Sequence, residues 1–139
     1  MKRRFLIAFL AAIMTISGIT AINTAAQSDI KADYSYIELS KINKGDKFSM
    51  VFTLDNISGS NITNLSYSIS TNSSFRVIGG DYSKNNAEFN TDYTIGLEYL
   101  GGSNNLPIEL SYKKGDAPLI NNVFANITIS EIDTDSISP

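Results

Sequence analysis

The 139-residue chain is acidic, with 11 Lys and Arg residues against 14 Asp and Glu residues and a net charge of −3. It contains no cysteine and no histidine. Disulfides, thiol catalysis and histidine-based zinc or triad sites are therefore excluded, and the length predicts one domain with or without a targeting segment.

The N-terminal segment has the layout of a secretory signal peptide. Lys2, Arg3 and Arg4 are followed by an apolar run and then by small and polar residues, which predicts a signal segment over 1–26 that is cleaved after Ala26. The alternative is a retained anchor, because the apolar residues continue far enough to span a membrane. That uncleaved segment is the one membrane contact that we expect.

Cleavage makes the exported domain more acidic. Residues 1–26 carry three positive and no negative charges, so the net charge changes from −3 to −6. Nucleic acid is not expected as a partner, because its binding depends on Lys and Arg at the phosphates.

The rest of the chain is dominated by residues that alternate between apolar and polar, which is typical of β-strands with one buried face. After a linker over 27–32, this pattern predicts an Ig-like antiparallel β-sandwich over 33–130 and a polar tail over 131–139. About seven strands are predicted, within residues 34–42, 48–54, 65–69, 75–78, 93–99, 106–112 and 123–129.

Two residues qualify this strand pattern. Gly96 indicates a bulge or a close approach of two backbones. Pro107 is tolerated near a strand start or on a sheet edge, so its strand and the irregular first strand are predicted to be edges. Exposed edges of this kind bind partners by accepting another strand.

Several segments together resemble a known family. These are GDKFSMVFTLDN (45–56), NLSYSI (64–69), SFRVIGG (74–80) and IGLEYLGGSNNLPIELSY (95–112), and they are similar to bacterial surface Ig-like domains of the CARDB type. The resemblance covers about residues 33–130. It implies a spacer or adhesive module of S-layer-like or adhesion-related envelope proteins, with no catalytic residues to transfer.

Carboxylates are the remaining candidates for acid–base chemistry. Asp81, Glu88, Asp92 and Glu98 would support glycoside hydrolysis if two of them converged. Charged residues on loops and edges are usually only solvated, so we do not expect an enzyme.

Calcium is a second possibility, because it binds several oxygen ligands from a loop. The loop over 81–92 and the tail residues Glu131, Asp133 and Asp135 supply oxygens, but neither matches the EF-hand spacing. Turn formation and solubility explain these residues better than calcium binding does, and we expect no cofactor or metal.

Five Asn-X-Ser/Thr triplets raise the question of glycosylation. Asn and Ser also suit turns, so such triplets arise by chance in a chain rich in both. The triplets begin at Asn56, Asn61, Asn64, Asn72 and Asn126.

Four aromatic residues are the candidates for a contact surface. Tyr34, Tyr36 and Tyr82 are not fixed by the alternation, and Phe124 has outward parity in the last strand. The remaining strand tyrosines have inward parity and are predicted in the core: Tyr67, Tyr93, Tyr99 and Tyr112.

The function expected from these features is non-catalytic. The chain is predicted to be a secreted structural or adhesive Ig-like module of a bacterial cell envelope, in contact with other envelope proteins, neighbouring Ig-like domains or cell-wall glycan. The alternative is a carbohydrate-binding or cohesin-like docking module of a secreted polysaccharide-degrading system. Saturable glycan binding distinguishes the second function from the first.

Overall fold

The computed structural model describes residues 29–133 of the protein. This part of the chain forms eight strands: β1 (Ile30–Ile37), β2 (Lys47–Asn56), β3 (Ile62–Ser68), β4 (Phe75–Gly80), β5 (Ser83–Lys84), β6 (Tyr93–Tyr99), β7 (Asn105–Lys114) and β8 (Ile120–Thr128). The predicted signal segment, the cleavage after Ala26 and tail residue Asp135 lie outside the described residues.

The strands form two four-stranded antiparallel sheets, ordered β1-β2-β6-β4 and β5-β3-β7-β8. Without the two-residue β5, this is the ABED and CFG arrangement of a constant-type immunoglobulin sandwich. The predicted all-β sandwich of about seven strands is therefore confirmed. The additional β5 lies in a segment that was predicted as loop, where Ser83 pairs with Ser68 of β3.

The core lies between the two sheets and consists of the inward residues of each strand. Phe52, Tyr67 and Tyr93 pack together at its centre, with ring centroids 5.2 to 5.9 Å apart. These three residues are at most 5% exposed, so the predicted inward faces of β2, β3 and β6 are confirmed. Inward residues of β7 such as Ile108 and Tyr112 contribute to the core from the opposite sheet.

The limits of the sandwich differ from the predicted ones. Strand β1 begins at Ile30, and both Ile30 and Ala32 are buried in the segment that was assigned to the linker over 27–32. Ile132 is also buried, although the tail over 131–139 was predicted to lie outside the core. The alternation of β1 was obscured because its register with β2 shifts between Tyr34 and Tyr36.

One of the two predicted edges is wrong. Strand β1 is an edge of its sheet, whereas the strand that contains Pro107 is β7, between β3 and β8. Pro107 is tolerated there because β3 ends at Ser68, opposite Glu109. Its missing N–H therefore removes no ladder bond on the β3 side, and on the other side it pairs with Asn126.

Gly96 marks a close approach, as predicted. Val77 pairs with Leu97 and Gly79 with Gly96, so Ile78 is an extra residue in β4. A Cβ atom on Gly96 would lie 3.3 Å from the Ile78 Cγ1 atom. The bulge itself lies in β4, opposite the glycine.

Candidate functional site

At one end of the sandwich, Asp29 fastens the start of β1 to the opposite sheet. The Tyr112 hydroxyl donates to Asp29 Oδ2 at 2.8 Å, and Lys114 Nζ lies 2.9 Å from Asp29 Oδ1. The Ile57 amide donates to the Asp29 carbonyl oxygen at 3.0 Å. This carboxylate was not identified from the sequence, although it immediately precedes the first buried residue of β1.

At the other end, the segment after β8 is fastened to β1 and to the β1–β2 connection. The Tyr34 hydroxyl donates to Glu131 Oε1 at 2.7 Å and accepts from the Ser130 amide at 3.1 Å. Ile42 and Ile132 form a parallel bridge. Tyr34 was predicted as a contact residue, but it is half-buried and its hydroxyl is used within the fold.

The remaining three predicted contact residues are exposed but do not form one cluster. Tyr36 (59% exposed) lies in edge strand β1, and Tyr82 (48%) lies between β4 and β5 at the opposite edge. Phe124 (43%) lies on the outer face of β8. The structure therefore separates Tyr36 from the face that carries Phe124.

A shallow depression of about 330 Å3, here called the outer groove, crosses the outer face of the second sheet. Serine, asparagine and one glutamate dominate its lining, which consists of Ser66, Tyr67, Ser68, Ser83, Asn85, Glu109, Leu110, Ser111, Asn121 and Asn122. The outward parity of small polar residues in β3 and β7 is the signal in the sequence that indicates this surface.

A second depression of about 700 Å3, here called the side groove, adjoins the outer groove at the β4–β5 side of the sandwich. The two depressions share Ser68 and Ser83. Ile78 and Tyr82 supply exposed apolar surface in the side groove, and the Tyr82 carbonyl is fixed by the Ile69 amide at 2.7 Å.

Of the four candidate carboxylates, Glu88 and Asp92 lie in the connection between β5 and β6, whereas Asp81 and Glu98 lie apart along β6. Asp81 donates its amide to the Thr94 carbonyl at 2.7 Å, whereas Glu98 lies four residues further along β6 and is paired with Arg76. Four residues of an antiparallel strand correspond to about 13 Å. The distance between the main-chain positions of Asp81 and Glu98 is thus larger than the distance between the two carboxyl groups of a glycosidase.

Within residues 29–133, no three acidic side chains are grouped so as to hold a metal ion. The loop over 81–92 and the tail carboxylates Glu131 and Asp133 are included in that part. The same residues contain no helix of the length and apolarity that a membrane crossing requires.

Two of the asparagines in the glycosylation-type triplets organise turns. The Asn56 carboxamide accepts from the Ser58 amide at 3.0 Å and donates to the Ser60 carbonyl at 2.8 Å. Asn72 Oδ1 accepts from the Ser74 and Phe75 amides at 2.8 and 2.9 Å. The side chains of Asn56 and Asn72 thus stabilise turns, which is the role that Asn residues commonly have in such segments.

Three core tyrosines have raised pKa values. Burial raises the pKa of Tyr99, and burial together with the negative charge of Asp81 raises that of Tyr67. Burial, with the hydrogen bond to Asp29, raises the pKa of Tyr112 to about 12. All three phenols are thus neutral in the folded protein at pH values where unfolded tyrosine, with a pKa near 10, has begun to ionise.

These shifts predict a loss of stability in alkali. The unfolded chain releases phenolic protons above about pH 10 while the folded chain retains them. The stabilisation is fully present below that pH and is lost as the pH rises toward the folded values, near 12 for Tyr112. Urea unfolding at pH 8 and pH 11 measures it, and Tyr112→Phe should lose less stability between the two. Equal stability of the unmodified protein at both pH values would contradict the prediction.

Comparisons with known proteins show little similarity. No family model and no curated protein matches the chain. Among solved structures, a conjugative transposon lipoprotein from Bacteroides eggerthii is similar with a TM-score of 0.31 and 6% identity. The alignment covers 73% of this chain and 98% of that one. A likeness at this level indicates nothing about function, and the resemblance to CARDB-type domains stays a prediction.

Proposed function

We propose that the protein is an exported, non-catalytic spacer or adhesive module of a bacterial cell envelope. The observation that supports this function is the path of the polypeptide through the sandwich. The chain enters the sandwich at Asp29, beside the end of β7, and reaches Asp133 at the opposite end, beside the start of β7.

This path follows from the strand directions. Lys114, the last residue of β7, binds Asp29. Asn105, the first residue of β7, pairs with Thr128 at the end of β8. Ten residues of strand correspond to roughly 30 Å. A module with this path would separate a partner held at one end from a partner held at the other end by its full length.

Each end is also held to the body of the sandwich. Asp29 is bound by Tyr112 and Lys114, and Asp133 is bound by the Ile42 carbonyl and the Lys41 ammonium group. A spacer needs this arrangement, because its neighbours act on the points where the chain enters and leaves. End-to-end contact with neighbouring Ig-like domains is the partnership that suits it best, in line with the spacer role that the resemblance to CARDB-type domains implies.

Fractionation of the bacterium that encodes the protein tests export. An antibody against residues 29–133 should detect the protein in the envelope fraction, with a cytoplasmic marker as the control for leakage. Intact mass measurement should give an N-terminus at Gln27 if cleavage follows Ala26. Recovery from the cytoplasm with Met1 to Ala26 attached would overturn the proposal.

A further inference from the structure

We propose that the outer groove and the side groove together form a binding site for an uncharged oligosaccharide that lies across the strands of the second sheet. The proposal does not depend on the spacer role, because a glycan site is compatible with either an anchored or a released protein. It rests on the hydrogen-bonding groups, the aromatic residues and the charge of this one face.

The floor of the outer groove presents hydroxyl groups from two adjacent strands. Ser66 and Ser68 of β3 pair with Ser111 and Glu109 of β7, and all four are half-buried at outward positions. Serine hydroxyls both donate and accept hydrogen bonds. The hydroxyl groups of a sugar ring also donate and accept hydrogen bonds. Such a surface can therefore replace much of the water that is bound to the free sugar.

The rim of the outer groove adds carboxamides. Asn121 accepts a hydrogen bond from the Ser111 hydroxyl at 2.9 Å, which holds its side chain over the groove. Asn122 has a left-handed backbone conformation (φ 60°) where the register of β8 with β7 shifts. On the far side of the groove, Asn85 is exposed beside β5.

An aromatic side chain lies at each end of this polar surface. Phe124 pairs with Glu109 of the groove and shares the outward face of β8 with Asn122. Tyr82 lines the side groove next to Ser83, which both depressions share. Exposed aromatic faces on an otherwise polar surface are where the apolar faces of sugar rings pack, and burial of such side chains dominates small interfaces.

The charge of the surface selects against acidic glycans. Of the described residues that line the two grooves, Glu109 is the one that carries a charge. A uronate or sulfate group would approach this carboxylate without a lysine or arginine of the lining to compensate. Neutral hexose or N-acetylhexosamine chains meet no such repulsion.

The span of the site indicates an oligomer rather than a single sugar. The outer groove extends from β8 across β7 and β3 to β5. Three strand spacings correspond to about 14 Å, and the side groove continues beyond β5. A chain of several rings therefore fits better than a monosaccharide.

Calorimetric titration of the purified, exported protein tests the site. The probes are cellohexaose, maltohexaose and chitohexaose, with hexagalacturonate as the acidic comparison. We expect saturable binding of at least one neutral hexamer and weaker binding of the acidic one. Phe124→Ala and Tyr82→Ala should each weaken binding about tenfold, as for the loss of one aromatic side chain that packs on a sugar ring.

Tyr36→Ala is the matched control, since Tyr36 is an exposed aromatic residue on the other sheet and its replacement should leave affinity unchanged. Ser68→Leu, at the junction of the two grooves, should abolish binding while thermal unfolding confirms that the variant is folded. Absence of saturable binding to all three neutral hexamers would overturn the proposal. So would affinity that falls with Tyr36→Ala but not with Phe124→Ala or Tyr82→Ala.

Discussion

Gly80→Ala is expected to lower the free energy of unfolding by about 2–5 kcal/mol. Gly80 has φ +84°, and a Cβ atom there would lie 2.5 Å from the Thr94 carbonyl oxygen and 2.8 Å from Ile95 Cα. Both atoms belong to the main chain of β6, so no side-chain rotation relieves the contact. The left-handed conformation costs about 1–2 kcal/mol and the forced separation of β4 and β6 about 1–3 kcal/mol more.

Gly59→Ala separates these two costs. Gly59 has a similar φ of +78°, but a Cβ atom there has no other atom within 4 Å. This variant should lose only the conformational part, about 1–2 kcal/mol. Urea unfolding of both variants at pH 7 measures the difference, and equal destabilisation would show that the close approach at Gly80 is not as tight as described.

Asp29→Ala is expected to destabilise the protein by about 2–4 kcal/mol. It removes the partner of the hydroxyl of Tyr112, a residue that is 1% exposed, and of the Lys114 ammonium group. An unsatisfied buried hydroxyl costs about 1–3 kcal/mol. The lost ion pair adds less than a fully buried one would, because the Lys114 side chain is 38% exposed.

Two variants define the origin of this loss. Asp29→Asn keeps an acceptor for Tyr112 but removes the charge, so it should be intermediate. Asp33→Ala breaks an exposed ion pair with Lys31 and should change stability by less than about 1 kcal/mol. Thermal unfolding of all three at pH 7 gives the ranking. A loss at Asp33 as large as that at Asp29 would contradict the assigned role.

The sequence was sufficient to predict the sandwich and most of its core. In β2, the residues Phe48, Met50, Phe52 and Leu54 are at most 2% exposed, as their parity required. Parity is informative in this protein because each sheet has one buried and one solvated face. The alternation of apolar and polar residues can be read within a single strand, without reference to the strands that pair with it.

The pairing partners of the strands were predicted less well, because pairing joins segments that are far apart in the sequence and the pattern within one strand does not indicate its partner. Pro107 favoured an edge position for its strand. Whether a strand is an edge depends on which strands pair with it on either side, and β8 pairs with β7 along the segment that contains Pro107. The contact residues show the same limit. Exposure of Phe124 follows from the parity of its strand, whereas the use of Tyr34 depends on Ser130 and Glu131, almost a hundred residues away.

The bridge between Ile42 and Ile132 has a mechanical consequence. The Ile42 amide donates to the Glu131 carbonyl and the Asp133 amide donates to the Ile42 carbonyl, each at 2.8 Å. Because both bonds join the Ile42 main chain to the segment that ends at Asp133, we expect tension applied at Asp133 to load the two bonds together. Resistance to pulling is set by the rate of unfolding rather than by equilibrium stability. We therefore expect the bridge to slow unfolding when force is applied at this end.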